Sequence, residues 1–259
     1  MTLGEHLAEL RARLVKSLVA IGVGGGVGWA VYDPVFVALQ RPFEQVRDAR
    51  GLGALVELNF TSVVDPFSLK IKIALYLGLI IASPVWIYQL WSFITPGLHR
   101  NERRYALGFL TAAVPFFLGG CYLAWLVMPN AVSFLMDFTP PGASNIIDLQ
   151  TYMGFVLRLV LAFGVAFLFP VALVGVNFAG LVSAHTLVRG WRLTVFAIFL
   201  FAAMFTPTPD AWTMLAMGGA IVVLYVMALT VCWWHDRRAA RRAAVAAESS
   251  WSDDQASPL

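Results

Sequence analysis

Five stretches of this chain carry no Lys, Arg, Asp, Glu or His: residues 73–94, 105–135, 159–184, 193–209 and 211–234. A helix that crosses the hydrocarbon core of a bilayer needs about 20 apolar residues. Within lipid every backbone N–H and C=O must find its partner inside the structure, so such stretches read as helices. A membrane β-barrel would instead require short segments of alternating polarity, and none is visible. Only 13% of the 259 residues are charged, against about 25% in an ordinary soluble domain.

With the apolar run that follows the basic N-terminus, the pattern predicts six spans, at about 14–32, 71–93, 105–128, 152–178, 192–206 and 211–234. The fold class expected is therefore all-α, a polytopic bundle over residues 1–235. The first span has no small-residue cleavage site after its apolar part and reads as an uncleaved helix. Residues 236–259 are expected to be a disordered cytoplasmic tail, small and polar from 243 on.

Six spans place both termini on one side. That side holds Arg11, Arg13, Lys16, Arg100, Arg103, Arg104, Arg189, Arg192, Arg237, Arg238, Arg241 and Arg242. The other holds Arg41, Arg47, Arg50, Lys70 and Lys72, with Arg158 inside span four. The excess of Lys and Arg marks the cytoplasmic side. The net charge of +3 is then a topology signal and gives no reason to expect a nucleic-acid partner. Cys121 and Cys232 fall in opposite leaflets, too far apart for a disulfide.

Several features qualify this outline. Span one contains Gly22, Gly24, Gly25, Gly26 and Gly28, which suits close helix packing within the subunit. The external segment 33–70 should carry short interfacial helices forming a cap. Pro84, Pro115 and Pro170 should bend spans two, three and four into a cupped face. Between Arg192 and the break at 206–210 lie only 13 residues, about 20 Å of helix against a core of about 30 Å.

Two charged segments at span edges stand out. One is GEHLAELRARL at 4–14; the other is QLWSFITPGLHRNERR at 89–104. Each sets a carboxylate, Glu9 or Glu102, among arginines. Glu9 and Arg13 form an i,i+4 pair, and Glu102 can serve the dipole of span three behind Asn101 as N-cap. A carboxylate is equally a planar acceptor for a guanidinium fork. From the residues alone both roles stand.

His6, Leu7, Glu9, Leu10, Arg11 and Arg13, with Phe93, Pro96, Leu98, Glu102, Arg103 and Arg104, resemble the two signature segments of the twin-arginine protein translocase subunit TatC family. Further matches occur at Asp65-Pro66-Phe67, Ser83-Pro84-Val85, Ala162-Phe163-Gly164 and 206–210. The resemblance spans about residues 4–235. It implies a receptor and core subunit that exports folded proteins with the proton-motive force. It implies twin-arginine signal peptides bound by Glu9, Phe93, Glu102 and Arg103. It also implies TatA-like and TatB-like single-span partners, surrounding membrane lipid and an oligomeric complex. Arg11, Pro42, Pro84, Met204, Thr206, Asp210 and Met214 are assigned structural or partner-contact roles. Partners are expected along spans five and six, near hydroxyls taken as exposed at Thr206, Thr208 and Thr213. Many members of the family carry Glu or Gln where this chain has Leu168, so that position's role is open here.

The alternative is a small-solute secondary transporter or channel. That reading expects ionisable residues facing a midplane cavity, and Arg158 is the single candidate. An enzyme has little support: there is no G-x-x-x-x-G-K-[ST], H-E-x-x-H or G-x-S-x-G sequence. The four His cluster at the cytoplasmic edge, which leaves no site for haem within the spans; no cofactor or metal is expected.

Overall fold

The computed structural model describes residues 3–51, 56–94, 102–139, 145–205 and 211–249. Its first helix, α1 (Leu3–Ala30), packs along α3 (Asp65–Ile81) through glycine. A Cβ on Gly24 would stand 2.8 Å from Gly78 O, and one on Gly28 would stand 2.7 Å from Ala74 O. Backbone therefore meets backbone, which only small residues permit. The opposite side of α1 exposes Leu14, Leu18, Val19 and Val23, as a lipid-facing helix should.

After α1 the chain turns by 79° into α2 (Tyr32–Ala49). Leu39, Pro42, Phe43 and Val46 are its buried residues, spaced i, i+3, i+4 and i+7 on one face. Pro42 has no N–H for the carbonyl of Ala38, one helical turn back. Trp125 Nε1 on α5 (Glu102–Met136) approaches that carbonyl at 3.5 Å. Tyr152 Oη donates to Leu39 O at 3.2 Å, and its ring meets Phe43 edge-on. The cap expected over this segment is thus one amphipathic helix laid on the bundle.

Strand β1 (Val56–Asn59) pairs in parallel with β2 (Asn145–Asp148), joining the two long loops on this side. The sequence reading contained no strand. Asp148 then caps α6 (Leu149–Phe178), accepting from Thr151 N at 2.8 Å and Thr151 Oγ1 at 2.7 Å. Those bonds, the side-chain bond first, hold its carboxyl below the usual carboxylate range. Arg50 closes the cap on its far side by pairing with Asp137 at 2.7 Å.

α3 and α4 (Ser83–Ile94) form one span bent by 58° at Ala82. Pro84 takes away the donor for Ile80 O, so the helix breaks where the proline predicts. α5 (Glu102–Met136) and α6 run as continuous helices through Pro115, Pro129 and Pro170. α6 is the centre of the bundle: Met153, Val156, Leu159 and Phe163 are fully buried. A Cβ on Gly120 of α5 would stand 2.5 Å from Phe163 O. α7 (Ala184–Arg189) is a short connector to α8 (Trp191–Phe205), and α9 (Ala211–Ser249) completes the chain.

The six crossings are α1, the α3–α4 pair, α5, α6, α8 and α9. They place the start of α1, the end of α9, the end of α4, the start of α5 and α7 at one face of the bundle, the terminal face. Two expectations change. Residues 236–249 are helical, continuing α9, where disorder was expected; the run AARRAAVAAES is rich in strong helix formers. Thr213, taken as an exposed hydroxyl, is fully buried, because the first turn of α9 points it inward beside Met217.

Candidate functional site

At the terminal face the start of α1 meets the end of α4. His6 stacks on Phe93 with ring centroids 4.5 Å apart and planes 16° from parallel. Phe93 is half-buried there. One turn along α1, Arg13 forks onto Glu9: Nε donates to Oε1 at 2.9 Å and Nη2 donates to the same oxygen at 2.5 Å. Both side chains keep between a fifth and a quarter of their surface exposed. Among the described residues Glu9 Oε2 has no partner. Glu9 is therefore a carboxylate that already holds a guanidinium and, among the described residues, keeps its second oxygen unbonded.

The end of α4 is positioned by Trp91, buried to 6% exposure. Its indole stacks on Phe109 of α5 at 3.8 Å and lies in direct contact with Gly175 of α6. No side chain larger than hydrogen fits at 175 without moving that ring. Trp91 escaped the sequence reading; the signal was a Trp in QLWSF, three residues before Ile94. Glu102 opens α5, so the second carboxylate begins a helix at this same face. The side chains of Glu102, Arg103 and Arg104, and the connection 95–101, lie outside the described residues. Arg11 is exposed on α1.

A second feature lies within the bundle. An apolar cavity of about 460 Å³ opens between α4, α6, α8 and α9, with Trp86, Leu168, Phe169, Ala197, Phe201 and Ile221 in its wall. Leu168 thus faces this space, and no charged residue lines it. Trp86 Nε1 donates to Leu79 O at 2.8 Å, so its one polar atom is satisfied beside the Pro84 break. Arg158 is exposed and lines none of the described cavities.

Along its length, from the terminal face towards the opposite one, α8 exposes Leu193, Phe196, Leu200 and Met204, the last at 72%. Met214 is half-buried on α9 and packs against the core. Thr206, Thr208 and Asp210 lie outside the described residues. Among the described residues no group of three His, Cys, Asp or Glu converges to hold a metal ion.

The TatC family model, described as Sec-independent protein translocase protein, matches residues 5–219. The chain is 51% identical to the Sec-independent protein translocase protein TatC of Xylanimonas cellulosilytica, over 95% of this chain and 89% of that relative. It is 38% identical to the protein of the same name from Frankia casuarinae, over 100% of this chain and 73% of that relative. A crystal structure of the twin arginine translocase receptor TatC in a detergent superposes with a TM-score of 0.73. It is 33% identical, and the match covers 88% of this chain and 99% of that one.

Proposed function

Because this chain belongs to the TatC family of Sec-independent protein translocase proteins, we propose that its terminal face is the receptor for twin-arginine signal peptides. It is a multi-pass membrane protein of that translocase. In this reading Glu9, Phe93 and Glu102, with Arg103 beside them, form the recognition surface, and both chain termini are cytoplasmic. The observation that carries the reading is the Arg13 fork on Glu9: the carboxylate is placed and oriented to accept a guanidinium. The apolar part of the signal would run into the bundle along the bent α3–α4 span. TatA-like and TatB-like single-span subunits would assemble around it in an oligomeric complex, and the proton-motive force would drive transport.

Photocrosslinking from position 93 tests this. A peptide with the arginine pair should crosslink in membranes, and the same peptide with paired lysines should not. Equal yields from both peptides would overturn the proposal. The solute-transporter alternative loses ground on one observation: the cavity wall is apolar and Arg158 does not reach it.

A further inference from the structure

The continuation of α9 past the membrane carries a feature that the receptor role does not use. At the terminal face a cavity of about 340 Å³ lies between the end of α6 and this part of α9. Its wall includes Phe178, Val231, Trp234, His235, Arg238 and Arg242. Arg238 and Arg242 are one helical turn apart and so share a face. The Arg238 guanidinium lies 5.1 Å from the centre of the Trp234 ring, which fixes its direction. Phe178 and His235 stack at 4.3 Å and close one side.

Among the described residues no acid neutralises the two arginines. Asp236 is the single acid among the described side chains of α6, α7, α8 and α9. It is engaged away from the cavity, where Oδ2 accepts from Ala184 N at 2.7 Å and Oδ1 accepts from Asn177 Nδ2 at 3.1 Å. His235 Nδ1 lies 3.5 Å from Asp236 Oδ1, too far for a good hydrogen bond. The depth of the site is set by Trp191, Trp233 and Trp234, each at least 49% exposed at this end of the bundle. Tryptophan collects at the headgroup level of a bilayer. Two unpaired guanidinium groups at that depth, over an aromatic and aliphatic wall, match a phosphodiester attached to a hydrocarbon chain.

We propose that this cavity binds the headgroup phosphate of an anionic phospholipid, with Arg238 and Arg242 as its donors and Phe178 and Val231 against the start of its acyl chains. The site tethers the end of α6 and the connector α7 to the bilayer surface. It rests on the multi-pass placement alone and not on the signal-peptide reading.

The test is native mass spectrometry of the full chain in neutral detergent, titrated with phosphatidylglycerol, with phosphatidylcholine and with inorganic phosphate. Both lipids offer the phosphodiester, but the choline ammonium sets a like charge beside the two arginines, so phosphatidylglycerol should bind about tenfold more tightly than phosphatidylcholine. The double variant Arg238→Gln, Arg242→Gln should lose that preference. The double variant Arg237→Gln, Arg241→Gln removes the same charge outside the cavity wall and should keep it. Equal loss in both variants would mean diffuse attraction and would overturn the site. Displacement of the lipid by millimolar phosphate would overturn the lipid assignment in favour of a soluble anion. A melting temperature unchanged in both variants, measured without added lipid, confirms that the comparison is between folded proteins.

Discussion

Replacing Glu9 by Gln keeps the size of the side chain and removes the charge that a guanidinium reads. A hydrogen bond to a charged group contributes about 1.5–3 kcal/mol. The carboxylate is not idle in the free protein, however, because Arg13 holds it at the surface in an i,i+4 pair. Such exposed pairs are worth about 0.3–0.5 kcal/mol, and an incoming arginine must offset that. The net contribution of Glu9 to signal binding is then about 1–2.5 kcal/mol, so Glu9→Gln should weaken binding about 5- to 70-fold. The same balance fixes the effect of the partner residue. Arg13→Gln frees the carboxylate and should strengthen binding about twofold. Fluorescence anisotropy of a labelled twin-arginine peptide on the purified protein in detergent reads both. An unchanged affinity in Glu9→Gln, with intact insertion and melting temperature, would refute the argument. So would weaker binding in Arg13→Gln, which would mean that Arg13 builds the site instead of competing for it.

The remaining expectations are compact. Gly78→Val should separate α1 from α3, because its Cβ would stand 2.5 Å from Ile21 O and 2.6 Å from Gly25 N. A loss of about 1–3 kcal/mol or more is expected, read as a fall in melting temperature, and a wild-type value would contradict the backbone contact. Asp148→Ala should cost about 1 kcal/mol at neutral pH by removing the α6 cap. The folded carboxyl titrates below its unfolded value, so this stabilisation is fully present above the unfolded pKa and is lost as pH falls through the folded one. Wild type and variant melting temperatures should therefore converge in acid, and a constant gap would argue against the cap. A thiol introduced at Asn101 should react with an impermeant reagent only from the cytoplasm, and one at Ala143 only from outside; the reverse pattern would end the topology. Crosslinks to a single-span partner should form strongly from Met204 and only weakly from Phe116, which is half-buried against the core of α4, α5 and α6. Strong contacts at 116 with none at 204 would exclude the α8 face as a docking surface.

What could be read in advance divides along a physical line. The bilayer imposes length and polarity on each crossing, so the uncharged stretches gave away the spans. It imposes satisfied backbone too, so Pro84 announced its break. The pairing of VELN with NIID carries no such constraint: two four-residue strands nearly ninety positions apart have no periodicity to betray them. The segment 33–70 was expected to carry short interfacial helices, and α2 runs unbroken through Pro42, where a nearby indole approaches the carbonyl that the proline leaves without a donor. The α9 extension was misjudged because polarity was weighed above alanine content. At the site, Glu9 and Phe93 were legible as sequence motifs, and the structure sets both on the terminal face. His6 against Phe93 and Trp91 against Gly175 were not, since ring contacts between helices depend on their rotation.

The shortest of the crossings explains why a partner should choose one side of the bundle. α8 has 15 residues, about 22 Å of helix where the hydrocarbon core measures about 30 Å. α6 and α9, with 30 and 39 residues, overreach that thickness easily. Tilting cannot help α8, because tilt shortens its projection further. Lipid must therefore thin along α8 by about 8 Å, at a fraction of a kcal/mol per Å. Its exposed residues, Leu193, Phe196, Leu200 and Met204, are apolar and offer a partner no charge. Packing alone would not distinguish this face from the equally apolar outer side of α1. The mismatch does: a second helix laid against α8 replaces strained lipid, while one laid against α1 replaces relaxed lipid. The preference for α8 then follows from a length difference between helices and requires no polar residue at Leu168.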